Sequence, residues 1–495
     1  MKTIVTNQII VSAPTAELMK WCREKLTFSN PEYYKKENLG FYTGNVSKTV
    51  QFYEMTRNGD LILPFGLLRY AMPALNAGEV QVRFCEERSF EAPNDIPLFD
   101  YQKDAVDALE KAKFGVLESK AGSGKTRMGL ALISRLHCKT LWLTHTKDLL
   151  SQSERAAAEF FDETKFGRIT GGEGNIGETI TFATVQTLAK MDLSELKYAW
   201  DCVIVDECHR VCGSPDSVKV KQFAYVLNSL ACKHKYGLSA TLHRSDGMTK
   251  SIFAYLGPIV HKVPFEALKD RIMDVTIFPI YTNTVLPDSC FKTQEELRRQ
   301  RGGRLYSKDS AGTDTKGEKK FPDFVSITES LVQDTERTAL IVEKLIENKE
   351  HHNLILSTRL SHLQAIYEML PSELQEKSVL IDGSKQTKKA LQERERSIEA
   401  VRCGEKQFLF ATYGLAKEGL DIPILDREYL VIPQNDYSVV VQSVGRIART
   451  FPDKQTPICY DFVDGKNEYL SAKFRNRCEH YRSYGFSLAG IGTQP

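Results

Sequence analysis

The sequence has little net charge, no cysteine framework and no long hydrophobic run. Its 66 Lys and Arg residues nearly balance its 64 Asp and Glu residues, and the formal net charge is +2. A polyanionic partner would therefore have to be bound by local basic patches. The 11 cysteines are odd in number and lie at no zinc-site spacing, so we expect reduced thiols and no structural metal. Because no apolar run has the length of a membrane span and no signal peptide follows Met1, we expect a cytoplasmic protein without membrane partners.

At 495 residues the chain is too long for one hydrophobic core, so two or three domains are expected. After the polar, proline-bearing stretch Glu91–Pro97, short apolar runs alternate with helical patterns, which predicts doubly wound parallel sheets of the α/β class. The predicted strands are Gly115–Leu117, Thr140–Leu143, Ile180–Ala183, Cys202–Val205 and Tyr236–Leu238 in a first series, and Leu354–Ser357, Val379–Ile381, Gln407–Ala411, Tyr429–Ile432 and Ile458–Phe462 in a second. The predicted domains are an N-terminal accessory domain (1–90), a first lobe (91–270), an inter-lobe segment (271–325), a second lobe (326–464) and a basic C-terminal helix (465–495).

The first 90 residues have the pattern of a small α+β domain. Glu79–Phe84 alternates as a strand does, and Asn30–Lys36 is predicted as a turn. Aromatic and basic residues occur together here, and two interpretations have equal weight. These residues either form a surface that stacks on bases and contacts phosphates, or the tyrosines lie at the edge of the domain's own core. The residues concerned are Tyr33, Tyr34, Lys35, Lys36, Phe41, Tyr42 and Lys48.

A second basic stretch interrupts the α/β alternation between residues 288 and 322. Such a charge run is usually a solvated loop, but its place between two α/β units makes an element facing nucleic acid an equal alternative. Its cationic residues are Lys292, Arg298, Arg299, Arg301, Arg304 and Lys308.

A glycine-rich turn stands between the first predicted strand and the helical pattern Met128–Ile133. Small residues in such a turn let backbone N–H groups surround nucleotide phosphates at a helix N-terminus. Lys125 would reach the phosphates and the Thr126 hydroxyl would coordinate Mg²⁺. The first position holds Ser119 where the usual pattern has glycine. The turn comprises Ser119, Lys120, Ala121, Gly122, Ser123, Gly124, Lys125 and Thr126.

A pair of carboxylates follows the apolar run Val203–Val205. The carboxyl ends of parallel strands form the functional edge of such a sheet. There Asp206 would hold Mg²⁺, and Glu207 would orient and deprotonate an attacking water molecule.

With its Asp206-Glu-Cys-His209 box after this phosphate loop, the chain resembles the superfamily 2 helicases of the DEAD/DEAH type. The resemblance implies two RecA-like lobes, with ATP and Mg²⁺ as cofactors, and it predicts further motifs in a set order. Tyr101 and Gln102 would read the adenine. Nucleic-acid contacts would come from Thr146, Lys147, Gly171, Gly172, Thr184, Gln186, Arg359 and Thr412, although His145 and Lys147 replace the family's Pro and Arg. Ser239, Ala240 and Thr241 would couple hydrolysis to unwinding, Gly419 and Asp421 would contact the nucleotide, and Gln442, Arg446 and Arg449 would complete the catalytic set.

The two arginines have a distinct implied role. A guanidinium group is planar and always charged, which suits the charge that develops on a transferring phosphoryl group. Supplied by the second lobe, Arg446 and Arg449 would allow hydrolysis only when the lobes close, and would thereby link ATP turnover to a step along the strand.

Within the superfamily, Gly237–Gly247 resembles the xeroderma-type repair helicases and their UvsW-like phage relatives, in which an Arg-Glu-Asp triplet follows the coupling motif. Here the triplet is Arg244, Ser245 and Asp246, so its acidic middle residue is missing. The basic stretch at 288–322 lies where that branch carries a thumb-like insertion. The resemblance thus implies a phage or viral member, located in the host cytoplasm.

The function implied is that of an ATP-dependent DNA helicase or double-strand translocase. It would unwind or branch-migrate duplex, forked or branched DNA in repair, recombination or replication, with replication or repair proteins as partners. An RNA helicase stays open, because backbone contacts alone do not separate RNA from DNA, and so does the motor subunit of a restriction or defence complex. A non-enzymatic binding module is disfavoured because the residues for hydrolysis are all present.

Overall fold

The computed structural model describes residues 1–490 apart from 39–42, 45, 76–78, 85–88, 94, 172, 212–217, 241, 243–247, 269–271, 294–295, 298–319, 384–386 and 421. The described residues up to 267 form one compact unit, and those from 268 onward form a second. No helix in these described ranges is long and apolar enough to cross a bilayer.

The first unit begins with a small α+β portion. Its strands are β1 (Lys2–Val5), β2 (Gln8–Ser12), β3 (Thr27–Ser29), β4 (Thr49–Gln51), β5 (Glu54–Met55), β6 (Leu61–Pro64) and β7 (Glu79–Val82), and its helices are α1 (Ala16–Lys25), α2 (Pro31–Asn38) and α3 (Leu68–Leu75). Five strands form a sheet of order β5-β6-β2-β1-β7, and β3 pairs with β4 separately. The alternation in β2 buries Ile9 and Val11, as a one-sided sheet requires. The strand predicted at Glu79–Phe84 is confirmed in its first four residues.

The turn predicted at Asn30–Lys36 is wrong, because this stretch forms helix α2. Pro31 occupies the first helical position, where its fixed φ suits the helix and its missing N–H costs nothing. The Asn30 side-chain oxygen accepts a hydrogen bond from the Glu32 N–H at 3.1 Å. The same residue types that signal a turn therefore act here as a helix start.

An eight-stranded sheet follows in the same unit. Its strands are β8 (Phe114–Glu118), β9 (Thr140–Thr144), β10 (Gly167–Thr170), β11 (Glu173–Asn175), β12 (Ile180–Thr184), β13 (Cys202–Asp206), β14 (His234–Ser239) and β15 (Ile259–Lys262). The helices are α4 (Asp100–Ala112), α5 (Lys125–Leu136), α6 (Lys147–Ala158), α7 (Val185–Leu188), α8 (Val218–Ser229) and α9 (Lys250–Leu256). The order is β11-β10-β12-β9-β13-β14-β8-β15, and only the β10–β11 pair is antiparallel. All five strands predicted for the first series are confirmed, and their apolar runs lie between helices on both faces.

The α+β portion and the eight-stranded sheet share one hydrophobic core. Gly66 sits against the backbone of Gly257 so closely that a Cβ on Gly66 would lie 2.5 Å from the Gly257 nitrogen. The buried ammonium of Lys235, on β14, donates hydrogen bonds to Leu227 O at 2.7 Å and to Asn7 O at 3.3 Å. The two portions are thus joined by backbone packing and by a buried cation.

The second unit is built on a seven-stranded parallel sheet of order β20-β21-β19-β22-β23-β16-β24. Its strands, with the separate pair β17–β18, are β16 (Thr276–Tyr281), β17 (Phe291–Thr293), β18 (Lys320–Pro322), β19 (Asn353–Ser357), β20 (Ser378–Leu380), β21 (Phe408–Thr412), β22 (Arg427–Leu430), β23 (Ile458–Val463) and β24 (Ser487–Leu488). The helices are α10 (Phe324–Gln333), α11 (Thr335–Glu347), α12 (Leu360–Glu368), α13 (Ser372–Glu376), α14 (Lys388–Arg402), α15 (Tyr413–Gly419), α16 (Tyr437–Ile447) and α17 (Glu468–Tyr484). The five strands of the second series and the C-terminal helix are confirmed. Two parallel-sheet lobes with a small N-terminal α+β portion are the fold class that the sequence predicts.

Two buried ion pairs hold helices to this second sheet. Arg337 on α11 contacts Asp464 at 2.8 Å, and Arg477 on α17 contacts Asp461 at 2.8 Å. Strand β16 comes from the stretch that the sequence assigns to the inter-lobe segment, and it pairs with β23 over six residues. Of the cationic residues in the basic stretch, Lys292 lies in β17, and the five from Arg298 to Lys308 lie outside the described residues.

Candidate active site

The glycine-rich turn links β8 to α5. Gly122 and Gly124 have φ values of +83° and +80°, which favour glycine. Gly124 is the N-cap of α5. The Ser119 and Ser123 hydroxyls are 2.6 Å apart, and Ser119 N donates to Ser239 O at 2.9 Å. Ser119, where the common pattern has glycine, therefore fixes the turn at its start.

Tyr101 and Gln102, predicted to read adenine, both contact this turn. The Tyr101 hydroxyl and the Gln102 Nε2 donate to Ser123 O at 3.0 and 2.9 Å. The Gln102 Oε1 accepts the Phe99 N–H at 3.0 Å, which caps α4. A Cβ on Gly124 would lie 2.5 Å from Gln102 Nε2, so this glycine also lets the glutamine approach. The contacts show both side chains holding the phosphate loop, and their contact with adenine stays a prediction.

Lys125, at the start of α5, and Glu207, directly after β13, are brought together. The Lys125 Nζ lies 3.9 Å from the Glu207 Oε1, and both side chains are largely buried. Glu207 has a φ of +49°, uncommon for a residue with a Cβ, and its N–H donates to the Asp206 Oδ1 at 2.9 Å. Such a strained backbone, placed directly after a buried strand, aims the Glu207 side chain toward the lysine.

Asp206 is buried and carries an unfavourable charge. Burial, and then the neighbouring Glu207 carboxylate, raise its pKa to about 7, and the Lys125 ammonium opposes this rise. A divalent cation would relieve the repulsion between the two carboxylates. Carboxylate and hydroxyl oxygens are the ligands that Mg²⁺ prefers, and Thr126 supplies a hydroxyl at the start of α5. The residues present therefore fit Mg²⁺, with Asp206 and Thr126 as the residues that would hold it.

His209 connects the carboxylates to the predicted coupling motif. Its Nδ1 lies 3.1 Å from the Glu207 Oε2 and 3.2 Å from the Ser239 Oγ. Since Ser239 O also accepts the Ser119 N–H, close contacts link the phosphate loop, Glu207 and the end of β14. The sequence prediction omitted His209 as a site residue, although its place in the Asp-Glu-Cys-His box was the signal. Ala240 follows Ser239, whereas Thr241, Arg244 and Asp246 lie outside the described residues.

The candidate nucleic-acid contacts of the first unit gather at one edge of the sheet. Strands β10, β12 and β9 are neighbours and run parallel, so their carboxyl ends meet. Thr146 follows β9 and caps α6 by accepting the Leu149 N–H at 3.3 Å. Gln186, after β12, donates to His145 O at 2.8 Å and so joins these two loops.

Two further contacts extend this edge. The hydroxyls of Thr184 and Thr187 are 2.9 Å apart, and Gly171 N donates to the Thr187 hydroxyl at 3.3 Å. Lys147 is exposed, and its Nζ would lie 3.8 Å from a Cβ on Gly171. Thr146, Lys147, Gly171, Thr184 and Gln186 are thus placed together, whereas Gly172 lies outside the described residues. We refer to these five as the edge cluster.

The candidates of the second unit lie around its own sheet edge. Arg359 is exposed after β19, its N–H donates to the Ser357 Oγ at 3.2 Å, and Thr412 ends the neighbouring strand β21. The Arg446 Nε donates to Ala416 O at 3.0 Å.

The remaining second-unit candidates differ in their surroundings. Gln442 is buried, and its Nε2 has no hydrogen-bond partner among the described residues. Burial lowers the pKa of the Arg449 guanidinium to about 10. Gly419 is the last residue of α15, and Asp421 lies outside the described part of the chain.

Comparison with known families identifies the family of this chain. Residues 95–244 match the family "Type III restriction enzyme, res subunit", and residues 336–451 match "Helicase conserved C-terminal domain". The chain belongs to the superfamily 2 helicases. The two matched regions contain the phosphate loop, the Asp-Glu pair and the two arginines in the order that the superfamily requires, and the protein is an ATP-dependent helicase enzyme.

Similar proteins come from viruses and archaea. "DNA 3'-5' translocase XPB2" of Sulfurisphaera tokodaii is 26% identical over 398 residues, covering 77% of this helicase and 84% of the relative. "Probable helicase D10" of Escherichia phage T5 is 24% identical over 468 residues, covering 94% and 90%. L396 of Acanthamoeba polyphaga mimivirus, whose name describes an ATP-dependent RNA helicase, is 25% identical over 389 residues, covering 77% of this chain and 66% of the relative.

A solved structure supports the fold. Dbp5 of S. cerevisiae, bound to RNA and ADP BeF3, superposes with a TM-score of 0.52 at 16% identity, covering 86% of this helicase and 93% of that chain. At this identity the likeness concerns the two-lobed fold alone.

Proposed function

We propose that this helicase acts on DNA, as a double-strand translocase or unwinding enzyme that processes forked or branched duplexes in repair, recombination or replication. The observation that carries the catalytic part is the approach of Lys125 to Glu207 beside the buried Asp206. The choice of DNA is supported by the likeness to XPB2, named as a DNA translocase. The long coverage of the phage protein supports a viral setting.

In this proposal the first unit holds ATP through Lys125 and the turn amides. Asp206 and Thr126 would hold Mg²⁺, which would supply charge neutralisation at the phosphates. Glu207 orients the attacking water and accepts its proton, while His209 holds the Glu207 carboxylate in place. Arg446 and Arg449 are assigned to the γ-phosphate in this proposal, as the likeness to the helicase family implies.

The nucleic-acid part of the proposal rests on the edge cluster. Its hydroxyl, amide and backbone N–H groups suit phosphate oxygens, and Lys147 adds a cation. Contacts of this kind carry no base information, which fits a motor that must move along any sequence. Arg359 and Thr412 would serve the same end from the second unit. The accessory portion (1–90) and the basic stretch (288–322) would select the substrate.

The catalytic assignment is tested by Lys125→Ala. The variant should lose ATPase activity while DNA binding, measured by fluorescence anisotropy without nucleotide, survives. Lys103→Ala is the matched control, because Lys103 lies on α4 with its side chain 55% exposed and pairs with the nearby Asp100. Persistent ATPase activity in Lys125→Ala, with the control active, would show that the phosphate site is elsewhere.

The substrate assignment is tested by ATPase stimulation across single-stranded DNA, duplex DNA, forked DNA, four-way junctions and RNA of matched length. We expect the largest stimulation with branched or duplex DNA. An RNA helicase is the second candidate, favoured by the likeness to L396. Preferential stimulation by RNA would establish that candidate and overturn the DNA assignment.

A further inference from the structure

Lys454 lies in the loop between α16 and β23, and its ammonium group is held by three backbone carbonyls. The Nζ donates to Pro423 O at 2.7 Å, to Ile447 O at 2.7 Å and to Arg449 O at 2.8 Å. A lysine ammonium has three protons. All three are therefore used, and all three acceptors belong to the backbone.

These three carbonyls come from the segments that carry the candidate nucleotide contacts of the second unit. Ile447 is the last residue of α16 and directly follows Arg446. Arg449 lies two residues further on, and Pro423 lies two residues after Asp421. The Lys454 side chain thus joins the end of α16, which carries Arg446 and which we call the arginine helix, to the loop at Pro423, about two dozen residues earlier in the sequence.

The Lys454 charge interacts favourably with the end of α16, but burying this charge is costly overall. A cation at the C-terminal carbonyls of α16 meets the negative end of the helix dipole. Burial, however, lowers the pKa of Lys454 to about 7, and the Arg449 guanidinium adds to this while Asp426 opposes it. The pKa of the neighbouring His352 is lowered mainly by burial, and the Lys454 ammonium lowers it further. A partly desolvated ammonium with three carbonyl partners stabilises the structure of the loop and is not a solvated surface group.

Other contacts among the described residues hold single points of the chain near the two arginines, including a backbone bridge between Ile272 and Arg449. The Arg446 side chain is held by Ala416 O, and Met273 N donates to Ala448 O at 2.7 Å. These bonds hold one side chain and one carbonyl, whereas the Lys454 ammonium fixes the backbone on both sides of that carbonyl. Small errors in the position of a catalytic group lower the rate steeply.

We propose that Lys454 is a positioning residue for the phosphate-directed arginines. It holds the end of α16 so that the guanidinium groups of Arg446 and Arg449 point in a fixed direction. This proposal rests on the role given to these arginines above. Lys454 itself touches neither nucleotide nor nucleic acid in this proposal.

The test is Lys454→Met, which keeps the length of the side chain and removes the ammonium. We expect kcat for DNA-stimulated ATP hydrolysis to fall at least tenfold while KM for ATP stays within twofold. Affinity for ADP with aluminium fluoride should fall in parallel, and affinity for ADP alone should not. Lys406→Met is the matched control, because the half-buried Lys406 also donates to a backbone carbonyl, that of Glu376, away from the arginine helix.

An unchanged kcat in a folded Lys454→Met protein would overturn the proposal, as would a raised KM with kcat unchanged. Should the methionine variant not fold, Lys454→Gln decides in its place, since its amide can still serve one carbonyl: a lower kcat at constant KM supports the proposal, and a wild-type kcat overturns it. Arg446→Lys and Arg449→Lys are measured alongside. If they keep full kcat, the arginine role itself fails; if they lose it while Lys454→Met does not, only the role of Lys454 fails.

Discussion

Replacing Lys235 by methionine should change how the stability of the first unit depends on pH. Lys235 lies on β14, where its side chain is fully buried against the α+β portion. Its Nζ is 4.9 Å from the centre of the Phe65 ring. Burial lowers its pKa to about 8. The unfolded chain binds this proton up to about pH 10.4, so the folded state disfavours the charged form.

The sign and size follow from linkage. Below pH 8 both states of the chain carry the proton, and the whole cost of the buried charge is present. As the pH rises above 8, the folded state releases the proton before the unfolded state does, so this group makes the free energy of unfolding rise with pH. The gain is about 1 kcal/mol between pH 7 and pH 9 and about 2–3 kcal/mol between pH 7 and pH 10. Lys235→Met removes this rise and leaves the other titrating groups in place.

Urea unfolding followed by tryptophan fluorescence is a selective assay. The protein has three tryptophans, and Trp21, Trp142 and Trp200 all lie in the first unit. The stability of Lys235→Met relative to the wild type should fall by the amounts above as the pH is raised from 7 to 10. Lys20→Met is the control, since the Lys20 side chain is 73% exposed. Parallel pH curves for Lys235→Met and wild type would refute the reasoning.

Three further predictions concern catalysis and packing. Glu207→Gln should lower kcat about 10²–10⁴-fold, because the water loses its base, while ATP binding measured by titration calorimetry survives. Gly66→Ala should destabilise the first unit by about 1–3 kcal/mol, seen as a lower urea midpoint in tryptophan fluorescence, because its Cβ meets the Gly257 backbone at 2.5 Å. Arg337→Met should leave the Asp464 charge buried without its cationic partner, at a cost of about 3–5 kcal/mol. Scanning calorimetry should show this as an earlier transition of the second unit, while the tryptophan transition keeps its midpoint.

The sequence predicts the strands that are buried on both faces and misses the shorter or interrupted ones. Runs such as Cys202–Val205 are apolar throughout because helices cover both faces of the sheet. Strand β10 reads Gly-Arg-Ile-Thr and β15 reads Ile-Val-His-Lys, and neither has such a run. Strand β16 contains Pro279, which argues against a strand in general. It is tolerated here because β24 pairs only with Thr276 and Ile277, so the edge beside Pro279 is open on that side.

The residues of the candidate site also divide into those that the sequence predicts and those that it misses. Lys125, Asp206 and Glu207 could be predicted because each lies in a local motif with a known chemical task. The bond between His209 and Ser239 joins residues thirty positions apart, and it depends on the sheet order, which places β13 beside β14. Lys454 follows Phe451-Pro-Asp453, a sequence typical of an exposed turn, so nothing local indicates that its ammonium is enclosed by carbonyls.

Strand β14 explains how the α+β portion can bear on catalysis without touching the nucleotide. Near the start of the strand, Lys235 is bonded to Asn7 O. At its end, Ser239 is bonded to both the phosphate loop and His209. Strand β14 is paired on both sides, with β13 and β8, so one continuous strand joins the Asn7 contact to the Ser239 contacts. If the N-terminal portion binds the substrate, we expect β14 to be the route by which binding changes hydrolysis, because its two ends carry these contacts.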